Sequence, residues 1–378
     1  MLFRRHIRPH LLTILTLGLA LPSGRALLNI DGSRNQVFVF GGVTFGYSSN
    51  IFSQSSGHGD YNVSAQAGVE LKRRAGIIAV NATFRVAYQT FGKYTAENSV
   101  NPSFYIEFNK TTGRTTGAFT VNAFRESRSD SAVNVRTNSW NYPLGLNLKY
   151  PINDRFYVTS NTAYLTRRYA NNSALANLTD YSEGLDLFYV YTSKLDLMGG
   201  YRIRISSTSL GGDTTDHWFN VGATGGLFAK LNGTVRFGYQ LRHLTGTAGE
   251  NFAHVNALAS LNWPLTRKLA LAGQVSRDFN TIATGSSVDS TSAALRASYA
   301  YNRKLAFDTS VTWGRNDFLG RQQPARVDTF FSWDAGAAYK FNEHLSLGAT
   351  YTYFRNWSSL SFSDFDRQGF TLDISSRY

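Results

Sequence analysis

Hydrophobic and polar residues alternate with a period of two along most of the chain. Residues 305–313, LAFDTSVTW, place Leu, Phe, Thr, Val and Trp on one parity and Ala, Asp, Ser and Thr on the other. Residues 195–205, LDLMGGYRIRI, oppose leucine, tyrosine and isoleucine to Asp196, Arg202 and Arg204. This pattern predicts β-strands that each have one apolar face and one polar face.

The alternating segments form one repeated unit, in which a very short turn joins two strands. Residues 339–354, YKFNEHLSLGATYTYF, are an example with the turn at Asn342-Glu343. Longer polar connections lie between these hairpins, as in residues 48–59, SSNIFSQSSGHG. We count eight short turns and nine longer loops from residue 37 to the end, which predicts 18 strands, with 16 as the alternative. Strands of about ten residues are expected for such a unit.

Aromatic residues at the strand ends show which solvent the apolar face meets. A soluble β-sandwich has the same period of two, but it buries its aromatic residues in the middle of its strands. Here amphipathic aromatics on the apolar parity form two rings, as at the two interfaces of a membrane. The ring at the loop ends consists of Tyr47, Tyr88, Trp313 and Tyr353, and the ring at the turn ends of Tyr150, Tyr191, Trp263, Tyr301, Phe341 and Tyr378. The chain is therefore predicted to be an all-β, transmembrane, antiparallel up-and-down β-barrel.

The first 26 residues are predicted to be a signal peptide. Three arginines precede the apolar run LLTILTLGLAL, and small residues follow at positions 24 and 26. This run is too short to cross a bilayer as a helix, whereas the order of charged, apolar and small residues is that of an export signal. Residues 27–378 are then predicted to be a single outer-membrane barrel domain, with the bacterial outer membrane as its location.

The end of the chain, FTLDISSRY, repeats the alternation up to the last residue. Its apolar parity is predicted to be the lipid face of the last strand, which has to close the cylinder against the first strand because unpaired backbone groups are costly in lipid. An alternating strand with a terminal aromatic also resembles the signal that the outer-membrane assembly machinery recognises. The predicted assembly signal consists of Phe370, Leu372, Ile374 and Tyr378.

Residues 46–52, GYSSNIF, sit where the first strand enters the first long loop. They resemble the Y-D-S-N-[IV]-[FY] segment of the putative β-barrel porin 2 family of Gram-negative bacteria, with Ser48 where that family often has Asp. Turns such as YPINDRF, WPLTRKL and FNEHL are similar to the family's turns as well. The resemblance implies a pore-forming or export-related barrel. Members of this family often accompany exopolysaccharide genes.

The charge and the cysteine content limit the kinds of partner that the protein can bind. The chain has no cysteine, and loss of the four signal-peptide arginines would lower its formal charge from +13 to +9. We expect outer-membrane lipid and lipopolysaccharide as partners, with the barrel-assembly machinery during biogenesis, and no nucleic acid. Lipopolysaccharide phosphates would suit arginines in or near two long loops, although a solvated loop is an equally good interpretation. These arginines are Arg125, Arg128, Arg136, Arg167 and Arg168.

A search for catalytic and metal-binding patterns predicts no enzyme, no metal and no cofactor. The histidines after the signal lie on different strands, loops and turns, without metal-ligand spacing. No G-x-S-x-G elbow occurs. Asp213 and Asp216, in GGDTTD, lack the spacing of a calcium loop and are interpreted as solvated loop acids. The histidines in question are His58, His217, His243, His254 and His344.

The polar parity of the strands predicts a charged lumen. A barrel of 16 to 18 strands is too wide for side chains to fill, so that it leaves an aqueous channel. Its basic excess predicts a weak anion preference, centred on the arginines at 202, 204, 236 and 242; alternatively, the charges only pair with one another. The predicted pore-lining residues are Arg85, Arg202, Arg204, Arg236, Arg242, Arg296, Lys340, Asp196, Asp308 and Asp334.

Three functions remain open on the sequence. The leading hypothesis is a porin-like channel for passive passage of small hydrophilic solutes. The second, suggested by the family resemblance, is an outer-membrane conduit or accessory barrel for polysaccharide export, and the third is a non-conducting barrel that serves as a surface anchor. The longer loops, of at most about a dozen residues, are expected to be too short for a constriction folded into the pore.

Overall fold

The computed structural model describes residues 28–30, 34–74, 76–170, 174–245, 250–320 and 326–378. The predicted signal peptide lies outside these residues. Two short 3₁₀-helices, Thr95–Glu97 and Ser361–Ser363, are present. No helix among the described residues has the length and the apolar character that a membrane crossing requires.

The described residues form a single antiparallel sheet of 19 strands. Its first half comprises β1 (Leu28–Ile30), β2 (Asn35–Ser48), β3 (Asp60–Arg73), β4 (Ala79–Phe91), β5 (Ser99–Lys110), β6 (Thr116–Asp130), β7 (Val135–Pro151), β8 (Phe156–Tyr169), β9 (Leu178–Val190) and β10 (Leu195–Thr208). Its second half comprises β11 (Asp213–Phe228), β12 (Leu231–Thr245), β13 (Asn251–Pro264), β14 (Leu269–Thr281), β15 (Ser287–Ala300), β16 (Leu305–Phe318), β17 (Val327–Lys340), β18 (Leu345–Ser358) and β19 (Phe365–Arg377).

The sheet closes on itself. Each strand from β2 to β18 pairs with the next, and β19 pairs with β2, so that 18 strands form a closed barrel. At the seam, Val39 and Tyr378 exchange two backbone hydrogen bonds of 2.8 Å. The three-residue strand β1 adds a further antiparallel pairing with residues 35–37 of β2. Closure satisfies the backbone of both end strands, which confirms the predicted barrel and its 18 strands.

The barrel strands have 12 to 17 residues and are longer than predicted. The β6–β7 hairpin shows the reason, because β6 continues to Asp130 and β7 begins at Val135. Residues 126–136, whose polar composition predicts a loop, are therefore mostly a strand ladder. Facing strands keep pairing until the chain has to reverse, since each backbone N–H and C=O needs a partner whatever its side chain.

Large apolar side chains on one parity are exposed in the middle of the strands. Leu185, Val221, Phe237, Val255 and Leu295 have 53%, 66%, 58%, 60% and 57% of their surface exposed. They lie on strands between β9 and β15, and exposed Phe84 on β4, Leu144 on β7 and Ile374 on β19 continue this surface around the rest of the barrel. Hydrocarbon is the medium in which such a surface is stable, because each buried square ångström of apolar area contributes about 25 cal/mol.

Two neighbouring substitutions test the assignment of the outer wall. Leu295→Arg should lower the free energy of unfolding in lipid vesicles by about 2–4 kcal/mol, because it places a charge in hydrocarbon. Ala294→Arg, at the adjacent position on the lumen parity, is the matched control and should change the stability much less. Urea titration followed by tryptophan fluorescence measures both variants. Equal losses would contradict the assignment of the two faces.

Candidate channel and its loop end

The predicted pore-lining residues lie on the inner face of the barrel. For example, Arg236 precedes the exposed Phe237, and Asp308 follows the exposed Phe307, so that each has the opposite parity from an outward side chain. The same relation holds for the other eight. Their placement agrees with the predicted lumen, and their role in conduction stays a prediction.

Two lumen arginines share one carboxylate. Arg204, Asp216 and Arg242 lie directly opposite one another on β10, β11 and β12. Arg204 donates from Nε and Nη2 to Oδ2 of Asp216 at 2.9 and 2.6 Å, and Arg242 donates from Nε to Oδ1 and from Nη2 to Oδ2, both at 2.7 Å. Asp216 has no exposed surface and Arg242 has 1%. The interpretation of Asp216 as a solvated loop acid is therefore wrong, because β11 begins before it and turns it inward.

Other lumen arginines also face carboxylates. Arg236 donates from Nη1 to both oxygens of Asp186 at 3.0 and 2.9 Å, and Arg296 lies 3.3 Å from Asp308. Arg204 also lies 3.5 Å from a carboxylate oxygen of Asp278. Four carboxylates therefore face Arg204, Arg236, Arg242 and Arg296, which removes three of the four arginines on which the anion preference was centred.

Arg85 and Arg202 have different surroundings. Arg85 is exposed in the lumen and donates to the side chains of Gln66 and Ser103. The guanidinium of Arg202 lies 5.2 Å from the ring centre of Trp218. Two predicted acids have neutral donors: Tyr157 donates to Asp196 at 2.7 Å, and Ser310 donates to Asp334 at 3.1 Å. The lumen thus presents positive and negative groups at different places on its wall.

The tip of the β14–β15 hairpin, residues 278–289, folds into the barrel on its β14 side, while β15 stays paired with β16 up to Val288. The β13–β14 ladder stops at Ala257 and Arg277, whereas β14 and β15 remain paired up to residues 281 and 287. Phe279 and Val288 are 1% and 2% exposed. The backbone of this tip accepts hydrogen bonds from lumen arginines: Arg204 donates to the carbonyl of residue 279, and Arg242 donates to that of residue 280 at 3.0 Å.

The tip of the β6–β7 hairpin, residues 124–141, bends away from its neighbour in the same manner. The β5–β6 ladder ends at Ser103 and Phe124, and the β6–β7 ladder is interrupted opposite Pro143, which has no backbone N–H to donate. Arg326, which precedes β17, donates to the carbonyls of Ala132 at 2.6 Å and of residue 131 at 3.1 Å.

These contacts cross the mouth of the barrel. In the ring of 18 strands, the β6–β7 hairpin lies nearly opposite the β16–β17 hairpin. With neighbouring strands about 4.8 Å apart and tilted by about 40° from the barrel axis, such a ring has a circumference of about 113 Å and a width of about 36 Å. A contact between opposite hairpins therefore requires chain to extend inward from the wall.

Asn134, at the end of the β6–β7 tip, connects three loops. It donates from Nδ2 to the carbonyl of Ser53 at 2.5 Å, accepts at its own carbonyl from Gln54 at 2.9 Å, and accepts at Oδ1 from Ser363 at 2.5 Å. Asn134 and Ser53 both have φ of +56° and are 4% and 1% exposed. A left-handed backbone costs about 1–3 kcal/mol in a residue with a side chain, so the surrounding contacts hold both residues in place.

The loop end is therefore narrowed, and the expectation that the loops are too short for this is wrong. Paired strands, rather than a long loop, supply the chain that crosses the mouth. One feature of the sequence indicates the bend in the β6–β7 tip: Pro143 lies within an alternating segment, where proline marks an interruption of strand pairing. The partners of the tip are distant in the chain, so that periodicity could not reveal them.

The predicted aromatic rings lie near the strand ends on the outer wall. Nine of these ten side chains are exposed, and Tyr353 is half-buried. In the predicted assembly signal, Phe370, Ile374 and Tyr378 are exposed and Leu372 is half-buried, and the ring of Tyr378 stacks on His344 with centroids 4.5 Å apart. The roles of both sets, in the membrane and in assembly, stay predictions.

The five arginines near the long loops do not form one exposed patch. Arg136 and Arg167 have little exposed surface, and Arg128 lies within 3.5 Å of Glu126 and 3.9 Å of Asp130. This arrangement leaves less of the cluster for lipopolysaccharide phosphates than the sequence suggests.

Sequence reasoning also missed an acid on the outer wall. Glu183 shares its parity with the exposed Tyr181 and Leu185, and it accepts hydrogen bonds from Ser160 at 2.8 Å and Thr162 at 2.5 Å. Two hydroxyl donors from the neighbouring strand thus satisfy a carboxyl group that faces the membrane. Its position between Ser182 and Gly184 on β9 was visible in the alternation.

Metal-binding groups are not clustered in the part of the chain that the structure describes. No group of three or more His, Cys, Asp or Glu side chains there could hold a metal ion.

Comparison with solved structures shows the same kind of barrel at very low sequence identity. OpdK of Pseudomonas aeruginosa, solved with vanillate, is 9% identical, with 90% of this chain and 99% of that chain covered and a TM-score of 0.52. OccAB3 of Acinetobacter baumannii is 10% identical, with 91% and 99% covered and a TM-score of 0.50. The FrpB iron transporter of Neisseria meningitidis (F3-3 variant) is 10% identical, with a TM-score of 0.48; 84% of this chain is covered, and the chain spans 62% of that protein.

Sequence comparison relates part of the chain to a protein family. No curated protein matches the chain. The model of the family described as putative beta-barrel porin 2 matches residues 212–378, which contain strands β11 to β19. The segment GYSSNIF, residues 46–52, lies outside this match, whereas the turns WPLTRKL and FNEHL lie within it. The C-terminal part of the chain, residues 212–378, thus matches the putative beta-barrel porin 2 family, which confirms the resemblance found in the sequence.

Proposed function

We propose that the protein is a channel of the bacterial outer membrane that passes small hydrophilic solutes through a mouth narrowed by two hairpin tips. The observation that supports this function is the closed barrel of 18 strands with an apolar outer wall and a charged inner wall. A barrel of this width leaves room for water. The tips at 124–141 and 278–289 would restrict the passage by size.

We further propose a weak anion preference that depends on Arg85 and Arg202. Carboxylates neutralise the other predicted lumen arginines, whereas Arg85 donates to neutral groups and Arg202 lies over an aromatic ring. Acids on other parts of the wall oppose this preference, so that we expect it to be small.

Liposome swelling with sugars of graded size tests the channel. Vesicles that contain the purified protein should swell in small sugars and fail to swell above a sharp size limit. Absence of swelling for every sugar, by a protein that is folded in the vesicles, would favour the alternative of a non-conducting anchor. The observation that favours this alternative is the set of hydrogen bonds that join loops from opposite sides of the mouth, because such contacts could close the passage.

Reversal potentials under a salt gradient test the selectivity. The wild-type channel should favour chloride slightly, and the double variant Arg85→Gln, Arg202→Gln should lose this preference. Arg315→Gln is the matched control, because Arg315 is 51% exposed at its side chain and lies near the end of β16 on the outer parity. A cation preference of the wild-type channel would contradict the proposal.

A further inference from the structure

A cavity lies at the loop end of the barrel, beside the end of the β6–β7 tip. It has a volume of about 370 Å³ and is lined by Phe52, Gln54, His58, Tyr94, Glu97 and Arg136, among others. We propose that this cavity binds one pyranose ring of a neutral saccharide. Its volume is within the range of small-molecule sites, which combine aromatic walls with a few polar groups. The proposal concerns binding at the loop end and does not depend on conduction.

Three rings form the aromatic part of the cavity. Phe52 and Tyr94 have ring centroids 5.1 Å apart at 86°, Phe52 and His58 are 5.8 Å apart at 79°, and His58 and Tyr94 are 6.0 Å apart at 75°. Each ring is thus nearly perpendicular to the other two, and each is partly exposed. The C–H face of a pyranose is apolar and matches such ring surfaces, whereas its hydroxyl groups need donors and acceptors nearby.

Arg136 and Glu97 supply a donor and an acceptor side by side. The side chain of Arg136 is 8% exposed, and its Nε lies 3.5 Å from a carboxylate oxygen of Glu97. This buried Nε has no hydrogen-bond partner among the described residues, although Nη2 donates to Ser127. A hydroxyl group that accepts from Arg136 while donating to Glu97 would satisfy both, since a hydroxyl is donor and acceptor at once.

The charges of the cavity favour a neutral ligand. Glu97 would repel a phosphate or a carboxylate, and Arg136 would repel a quaternary ammonium group. Lys93, whose Nζ lies 5.0 Å from the ring centre of Tyr94, adds a second positive charge, and the carboxylate of Asp60 beneath the same loop adds a second negative charge. An uncharged saccharide meets neither repulsion and can use both charged groups as hydrogen-bond partners.

The walls of the cavity are held in place before any ligand binds. The carboxylate of Asp60, which is 5% exposed, accepts hydrogen bonds from the backbone N–H groups of Lys93 and Tyr94 at 2.9–3.0 Å. The side chain of Asn98 accepts from the backbone of Phe91 at 2.7 Å. The loop that carries Tyr94 and Glu97 is therefore fixed at both ends, which reduces the entropy that binding would cost.

Saturation-transfer NMR of the full-length protein in detergent micelles tests the site. The probes are methyl β-D-glucopyranoside, methyl β-D-galactopyranoside and methyl α-D-mannopyranoside, with choline chloride and inorganic phosphate as separate arms. We expect transfer to at least one glycoside, and the double variant Phe52→Ala, Tyr94→Ala should weaken binding by about fivefold or more. Tyr94→Phe keeps the ring and should bind as the wild-type protein does.

Phe362→Ala is the matched control, because Phe362 is another exposed loop aromatic, at 54%, and does not line the cavity. This control should bind the glycoside normally. Heat-modifiable electrophoretic mobility checks that every variant is folded. No transfer to any of the three glycosides, transfer that the double variant retains, or preferential binding of choline or phosphate would each overturn the proposal. Swelling assays on the same samples show separately whether the channel conducts.

Discussion

Removal of the β6–β7 tip is expected to raise the single-channel conductance severalfold. The deletion replaces residues 128–137 with an Asn-Gly turn between Ser127 and Asn138, which already face each other in the ladder. Such a two-residue turn closes a hairpin without disturbing its strands. The barrel below should remain intact, because β7 keeps its pairing with β8 from Ser139 onward. Planar-bilayer recordings in potassium chloride measure the effect.

The expected increase follows from the contacts that the deletion removes. It abolishes the hydrogen bonds of Arg326 to residues 131 and 132 and all those of Asn134, so that the loops on opposite sides are no longer connected through the tip. A shortened turn at 111–115, at the opposite end of the barrel, is the control and should leave the conductance unchanged. Unchanged conductance of the correctly folded deletion variant would show that the tip does not limit the passage.

A milder variant distinguishes obstruction of the passage by the tip from the connections that hold the tip in place. Asn134→Gly removes the side chain that connects three loops, and glycine adopts the positive φ of this position without strain. We expect more frequent transitions between conductance levels, with the mean level less affected than by the deletion. This outcome would show that the connections hold the tip in place and that the tip itself is the obstruction.

Asp216→Asn is expected to lower the free energy of unfolding by about 3–5 kcal/mol, the usual cost of removing one partner from a buried ion pair. Asp216 is the carboxylate that Arg204 and Arg242 share, and an amide in its place offers one acceptor oxygen and no charge. The two buried guanidinium groups would then repel each other. Urea titration of the protein in lipid vesicles measures the loss.

Asp317→Asn is the matched control for this variant. Asp317 pairs with Arg315 at 2.8 Å, but the two side chains are 38% and 51% exposed. Exposed pairs contribute about 0–1 kcal/mol and are screened by salt, so that this variant should be nearly as stable as the wild-type protein. If both variants lost the same stability, the network around Asp216 would not be the stabilising element that its burial suggests.

The stabilising network and the narrowed mouth are parts of one arrangement. Arg204 and Arg242 bind Asp216 on one side and the backbone of the β14–β15 tip on the other. The sequence predicted a cluster of arginines in the lumen at these positions. Their partners indicate a structural role for this cluster. The arginines hold the infolded β14–β15 tip and are not available as an open patch for anions.

The fold was predictable because lipid imposes a simple rule on every strand. In hydrocarbon, each strand needs an apolar outer parity and a complete set of backbone partners, so that alternation and the count of turns lead directly to a closed barrel. The seam between Val39 and Tyr378 follows from the same rule. The predicted strand length of about ten residues is wrong, because it includes only the part of each strand that crosses the hydrocarbon layer.

The loop end was not predictable from the alternation. Arg326 is separated from Ala132 by 194 positions in the sequence, and Ser363 from Asn134 by 229. Polar composition at these places is compatible with solvated loops and equally with buried, hydrogen-bonded loops. The same ambiguity affected Asp216. The sequence GGDTTD, rich in glycine and threonine, predicts a loop there, but β11 begins at Asp213 and includes Asp216.

The sequence alone determined the strands, their faces, their number and the closure of the barrel, since these depend on local alternation and on the solvent around each segment. Only the tertiary structure decided which charges are paired and how far the mouth is open. Both depend on contacts between residues far apart in the chain, and the energy of a buried charge or a strained backbone is set by the partners that folding brings to it.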